Sequence, residues 1–190
     1  MHTTSFESIH RNPVFEKLSP LIQFKEVCSL FYFEKDSSFE ALIYALKFEQ
    51  QEQLGQRIGV LSAQRLYNSP YKNCTGIVPI PQHPNRQRER GNNQVTLYCK
   101  TLSERLNIPY MPTIITRVRN TRQLSRNTTK DRFGEMEDAF VLTATRDLKK
   151  PHWLLVENII TTGATLQNCG KCLLEYPESK LSILTIGYRM

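Results

Sequence analysis

No apolar run in the chain approaches the ~20 residues that a membrane-spanning helix requires. The N-terminal stretch is polar, with His2, Glu7, His10 and Arg11, and shows no signal-peptide pattern. A cytoplasmic protein without a membrane partner is the expectation. Cysteine is sparse and odd in number: Cys28, Cys74, Cys99, Cys169 and Cys172 are scattered, which argues against a disulfide framework. Cys169 and Cys172 form one C-x-x-C, but neither a second such pair nor a pair of histidines accompanies it. A tetrahedral structural zinc is therefore not expected, and the two thiols read as small buried helix residues. No internal repeat is evident, and no residue stands out as a general base.

What is present suits one globular domain, or one domain with a small appendage: 190 residues, 39% hydrophobic and 23% charged. The net charge is +7, from 25 basic and 18 acidic residues. Part of that excess is local. Arg86, Arg88 and Arg90 lie together, and Arg117, Arg119, Arg122, Arg126, Lys130 and Arg132 form a second stretch. Such clusters fit a phosphorylated ligand or nucleic acid, although arginine and lysine also populate any solvated surface.

The segment richest in information runs from Trp153 to Thr165. Trp153-Leu154-Leu155-Val156 is an apolar run that ends at Glu157-Asn158, passes Ile159-Ile160, and becomes the hydroxyl-rich turn Thr161-Thr162-Gly163-Ala164-Thr165. A buried strand that delivers such a turn to a helix start makes an anion site, because the first amides of a helix lack partners and the dipole favours negative charge. Thr161, Thr162 and Thr165 add hydroxyl donors, and Gly163 lets backbone approach a ligand closely. Glu157, placed at the strand end, can accept hydrogen bonds from sugar hydroxyls.

Elsewhere, Val27–Phe33 reads as a strand. Phe39–Phe48 and Gln53–Tyr67 read as helices, the second with Leu54, Ile58, Leu61 and Leu66 as its apolar stripe. Cys74–Pro81 is a short strand that Pro79-Ile80-Pro81 should end, because proline donates nothing to a ladder. Asn93–Leu106 is helical, with Val95, Tyr98, Leu102 and Leu106 on one face. Thr113–Val118 and Ala139–Leu142 are strand-like, while 120–137 is a polar, basic loop or weak helix. Trp153–Val156, a helix from Ala164 to about Leu174, and the strand Leu181–Gly187 complete an alternating series. The alternation implies an α/β fold with a mostly parallel sheet flanked by helices. Ligands bind such sheets beyond the carboxyl ends of the strands, so the segments after Pro81, Val118 and Asn158 are expected to converge on one pocket.

The Glu157–Thr165 segment resembles the signature of type I phosphoribosyltransferases. In that family the turn holds the 5-phosphate of phosphoribosyl diphosphate, and two acids hold the ribose hydroxyls. Glu157 matches the first acid; Asn158 stands where the second is usually Asp. Further segments resemble the ComF (competence protein F; GntX-like) family of phosphoribosyltransferase-like proteins. These are Ser29–Lys35, Tyr44–Phe48, Val78–Pro81 with Pro84-Asn85-Arg86, Arg90–Gln94 and Arg117–Thr121. The resemblance implies a type I phosphoribosyltransferase-like fold, with residues 1–70 as a small N-terminal α/β appendage or hood and 71–190 as the core. It implies binding of phosphoribosyl diphosphate through Glu157, Asn158, Thr161, Thr162, Gly163, Ala164 and Thr165. Arg86, Arg88, Arg90, Arg117 and Arg119 would meet the diphosphate, and Mg²⁺ would arrive with the ligand rather than sit in a protein-only site. It also implies a part in DNA uptake, which leaves three functions open: phosphoribosyl transfer; single-stranded DNA binding, with Phe133 as the ring of the basic stretch and Tyr67, Tyr71 and Tyr98 read more readily as core; and a structural or interaction protein with a vestigial pocket, whose partners would be competence-machinery proteins. The chain departs from the family in lacking a zinc ribbon and in carrying Asn92 where an aromatic is usual. Gln123 and Glu135 are also out of step with the third motif.

Overall fold

The structure is a computed structural model, and it describes residues 4–33, 52–82, 95–118, 139–143 and 148–189. Its centre is a parallel sheet of four strands: β1 (Val27–Phe33), β2 (Gly76–Pro79), β5 (His152–Ile160) and β6 (Lys180–Arg189), in the order β1-β6-β5-β2. The middle of β5 is a continuous apolar run because the sheet is covered on both faces, and Trp153, Leu154, Leu155 and Val156 are all fully buried. Strand β1, from the 1–70 segment, pairs with β6, from 71–190, from Val27–Ile183 to Phe33–Arg189. One hydrophobic core includes Phe6, Val14 and Leu18 together with the buried residues of β5 and β6.

Among the described residues, four α-helices flank the sheet. Helix α1 (Pro13–Leu18) is set by its cap: Asn12 Oδ1 accepts from the amides of Val14 and Phe15 at 3.0 Å each, with proline at the first helical position. Helices α2 (Glu52–Leu66) and α3 (Thr96–Leu106) pack on each other. A methyl added at Gly59 would sit 2.7 Å from Thr101 Cβ, so glycine permits the close crossing. Leu61, expected in the apolar stripe of α2, is instead 41% exposed. The buried stripe is Ile58, Ser62 and Leu66, with Ala63 beside it, and the Ser62 hydroxyl is satisfied by the Ile58 carbonyl at 2.6 Å. Helix α3 ends on Asn107 in the left-handed conformation, φ 55°. Helix α4 (Ala164–Leu174) follows the Thr-rich turn and starts where the sequence places it. The helix expected over Phe39–Phe48 lies outside the described residues, and no described helix is long and apolar enough to cross a membrane.

Two strand expectations are corrected. Strand β3 (Ile115–Arg117) does not join the parallel sheet; it pairs antiparallel with β4 (Phe140–Leu142), and this small ribbon packs against α4. The outer edge of β2 is met instead by Pro109–Met111. The Ile77 amide donates to the Pro109 carbonyl and the Met111 amide to the Ile77 carbonyl, both at 2.8 Å. Strand β5 also runs further than its apolar stretch, through Glu157 and Asn158 to Ile160, because β6 pairs with it along that length.

The N-terminal segment is tied down by Arg65 near the end of α2. Its Nε and Nη2 meet the two Glu7 carboxylate oxygens at 3.1 and 2.6 Å, and Nη1 donates to the Leu30 carbonyl at 3.0 Å. Nη2 also donates to the Thr4 carbonyl. The two side chains are only 16% and 17% exposed, so the pair is shielded and its removal strands a carboxylate. Arg65→Met is expected to cost about 2–3 kcal/mol in urea unfolding. A change within about 0.5 kcal/mol, the range of ordinary surface substitutions, would show that solvent already satisfies both groups.

Candidate functional site

Strand order defines where a ligand fits. From β2 the chain moves outward to the Pro109–Met111 edge, whereas from β5 it moves the other way, to β6. The carboxyl ends of β2 and β5 therefore flank the point where the winding reverses, the place at which open α/β sheets form a crevice. Pro79 pairs with Val156, and the Ile80 amide donates to the Val156 carbonyl at 3.0 Å. Beyond this, Glu157 to Ile160 pair with β6 but have no β2 partner in register.

Side chains alternate along β5. Glu157 shares a face with Leu155 and with its partner Thr185, while Asn158 projects from the opposite face with Val156 and Ile160. Both are half-buried. The environment of Cys169 on α4 locates the charges. Burial pushes its thiol pKa well up, the Glu157 carboxylate pushes in the same direction, and the Arg117 guanidinium pulls it down. Glu157 and Arg117 thus converge on one region of α4, carried there by β5 and by the β3–β4 ribbon. The Arg117 guanidinium carbon lies 5.5 Å from the Phe140 ring centroid.

The turn after Ile160 is built on Gly163, which caps α4 with φ 86° and ψ −5°. Its carbonyl accepts the Gln167 amide at 2.8 Å. The Ala164 amide is 3.4 Å from Thr162 Oγ1, a long contact. Among the described residues no hydrogen bond takes the amides of Thr162, Gly163, Thr165 or Leu166, and the first turn of α4 carries no acid. Thr161 is exposed, Thr162 and Thr165 are half-buried, and Gly163 and Ala164 are buried. A row of amides with threonine hydroxyls beside it is an arrangement that receives an anion.

The structure thus brings Glu157, Asn158 and the 161–165 turn to one end of the sheet, with Arg117 on the ribbon that packs against α4. Arg86, Arg88, Arg90 and Arg119, together with Phe133, lie outside the described residues. Of the candidate stacking rings, Tyr71 and Tyr98 belong to the core at 1% and 0% exposure, while Tyr67 is 61% exposed. Cys169 and Cys172 are buried, and the Cys172 thiol is pushed up to about 11, chiefly by burial. Thiols in that state are poor nucleophiles and poor metal ligands. Among the described residues no three His, Cys, Asp or Glu side chains group as a metal cage. Among the described residues Glu157 is the carboxylate at the end of β5.

Sequence reading missed the floor of the turn. A methyl added at Gly163 would lie 2.7 Å from Leu18 Cδ2 and 3.2 Å from Leu21 Cδ1, so the N-terminal segment packs directly beneath the cap. The available signal was the pair Gly163 and Gly170. Glycine inside a helix is unfavourable unless another chain segment needs the space, and at Gly170 the added methyl would sit 2.3 Å from Ile22 Cδ1.

Two curated proteins resemble the chain in sequence. It is 32% identical over 139 residues to competence protein F of Haemophilus influenzae, covering 70% of this chain and 60% of that protein. It is 30% identical over 99 residues to competence protein ComFC of Bacillus subtilis, covering 52% and 38%. The matches therefore span less than two thirds of the length of these relatives. Among solved structures, adenine phosphoribosyltransferase from Leishmania tarentolae aligns with a TM-score of 0.45 at 11% identity, over 83% of this chain and 90% of that one. A hypoxanthine phosphoribosyltransferase from Staphylococcus aureus aligns with a TM-score of 0.41 at 14% identity, over 80% and 71%. No protein-family model matches the chain.

Gly163→Ala combines a left-handed backbone with an overlap on Leu18. It is expected to destabilise the protein by about 2 kcal/mol in urea unfolding. An unchanged midpoint would mean that the turn adopts another backbone conformation in solution.

Proposed function

The chain belongs to the competence protein F family, and we propose that it binds phosphoribosyl diphosphate or a closely related phosphorylated sugar at the β2–β5 crevice. The observation that carries this reading is the meeting, at the reversal point of the sheet, of Glu157 with a turn whose amides are open. The 5-phosphate sits against the amides from Thr162 to Leu166, with hydroxyls from Thr161, Thr162 and Thr165. Glu157 accepts a ribose hydroxyl. Asn158 hydrogen-bonds a hydroxyl without charge and cannot act as a base. Arg117, with Arg86, Arg88, Arg90 and Arg119 from the two basic clusters, balances the diphosphate. Bound with the ligand, Mg²⁺ would neutralise diphosphate charge and ease the departure of pyrophosphate from C1. Transfer to an acceptor is the activity this arrangement would serve, and a contribution to DNA uptake is the cellular role that follows from the family.

A second reading, direct binding of single-stranded DNA, draws on the net charge of +7 and the basic stretch that begins at Arg117. Such binding also needs stacking rings, and Tyr67 alone of the three candidate tyrosines presents one.

Calorimetry separates the readings. Saturable binding of phosphoribosyl diphosphate with Mg²⁺ is expected, weakened about tenfold by Glu157→Gln, which removes a charge-assisted hydrogen bond. Absence of heat at millimolar ligand removes the proposal. Oligonucleotide affinity that falls steeply with salt, without any phosphoribosyl diphosphate binding, would favour the DNA reading instead.

A further inference from the structure

The turn brings no cation of its own. No lysine or arginine lies between Ile160 and Leu166, and the basic residue of α4, Lys171, stands at the far end of the helix. A phosphate held by amides and hydroxyls alone keeps most of its charge.

Helix α1 reaches the same place. Leu18 and Leu21 pack under Gly163, Gln167 Nε2 donates to the Leu21 carbonyl at 3.1 Å, and Ile22 fills the space above Gly170. Positions 163, 167 and 170 form one face of α4, so the segment from Leu18 to Ile22 runs along that face, with Leu18 beneath the cap. Lys17 directly precedes Leu18. Its ammonium lies 5.4 Å from the centroid of the Tyr188 ring, within cation–π range. Tyr188 is the β6 partner of Ile160, the residue that leads into Thr161. Two separate contacts therefore set the end of α1 at the turn: Leu18 below Gly163, and Lys17 beside the strand end that feeds it. Among the described residues no carboxylate pairs with Lys17. Glu7 and Glu26 are engaged by Arg65 and His10, at 2.6 and 3.5 Å.

We propose that Lys17 is a further phosphate-binding residue of this site, supplied by the N-terminal helix to neutralise the group that the turn holds. The proposal rests on the anion-binding reading of the turn. Tyr188 steers the flexible stem, and the Leu18–Gly163 contact fixes its base beside the turn.

The test uses the full chain with ribose 5-phosphate, which lacks the diphosphate and so isolates this end of the ligand. By calorimetry, Lys17→Gln is expected to bind about tenfold more weakly than wild type and to show a shallower salt dependence, as loss of one charged contact requires. Lys17→Arg should restore affinity to within about twofold, because it keeps the charge. Thermal unfolding midpoints of all three proteins should agree, which separates a ligand contact from a structural role. Equal affinity of Lys17→Gln and wild type overturns the role of Lys17 while leaving the turn intact. Failure of wild type itself to bind ribose 5-phosphate overturns the reading of the turn, and that of Lys17 with it.

Discussion

Pro79 has no amide hydrogen. In a parallel ladder the N–H and C=O of one residue point to the same neighbour, and the odd positions of β2 face Pro109–Met111. Ile77 makes both of its bonds there. At Pro79 the next donor is missing, and Pro81 removes the one after it, so the outer edge of the sheet ends. On the inner side the Ile80 amide still reaches Val156, but β2 goes no further in register with β5. The stagger that results, with β5 and β6 running past a shortened neighbour, creates the crevice and leaves Glu157 and Asn158 at its rim. A donor-bearing residue at position 79 would favour a longer β2 and a filled groove.

The same stagger explains what the sequence disclosed and what it hid. The start of α4 was legible because its signal is local: an apolar run, a threonine pair and a glycine whose φ of 86° suits few other residues. The end of β5 was not, because Glu157 and Asn158 look like the close of a strand. Pairing of Glu157 with Thr185 and of Ile159 with Gly187 overrides that local polarity. The β3–β4 ribbon reads as strand in sequence, but three residues of β3 carry no indication of which sheet they join. The Pro109–Met111 edge rests on a single bridge at Tyr110, and a proline-flanked tripeptide has no strand signature. The floor of the turn was hidden for another reason. Leu18 and Gly163 are distant in sequence, and periodicity reports which face is buried, never what covers it.

The N-terminal segment is therefore structural in a stronger sense than an appendage. Asn12 caps α1, and its Nδ2 also donates to the Val27 carbonyl at 2.8 Å, which fixes the helix to the start of β1. Arg65 holds the preceding residues through Glu7 and the Leu30 carbonyl. From those anchors the chain lays Leu18, Leu21 and Ile22 along α4. The position of the helix whose amides carry the proposed anion site is thus set partly by residues far from it in sequence. Loosening this segment would act on the site through α4 without touching a ligand.

Charge at the crevice follows from one replacement. An aspartate at position 158 would place two carboxylates on adjacent residues of β5, both near a ligand that is itself a polyanion. Asparagine removes one unit of that repulsion and keeps a hydroxyl-binding amide. The exchange has a direction: a neutral hydrogen bond contributes about 1 kcal/mol where a charged one contributes about 1.5–3. In the proposed complex the sugar would be held less firmly while the phosphates would be opposed less. For a phosphoribosyl ligand this shifts the balance of attachment from the ribose toward its two phosphorylated ends. On the reading proposed above, the turn and the end of the N-terminal helix would meet one of those ends.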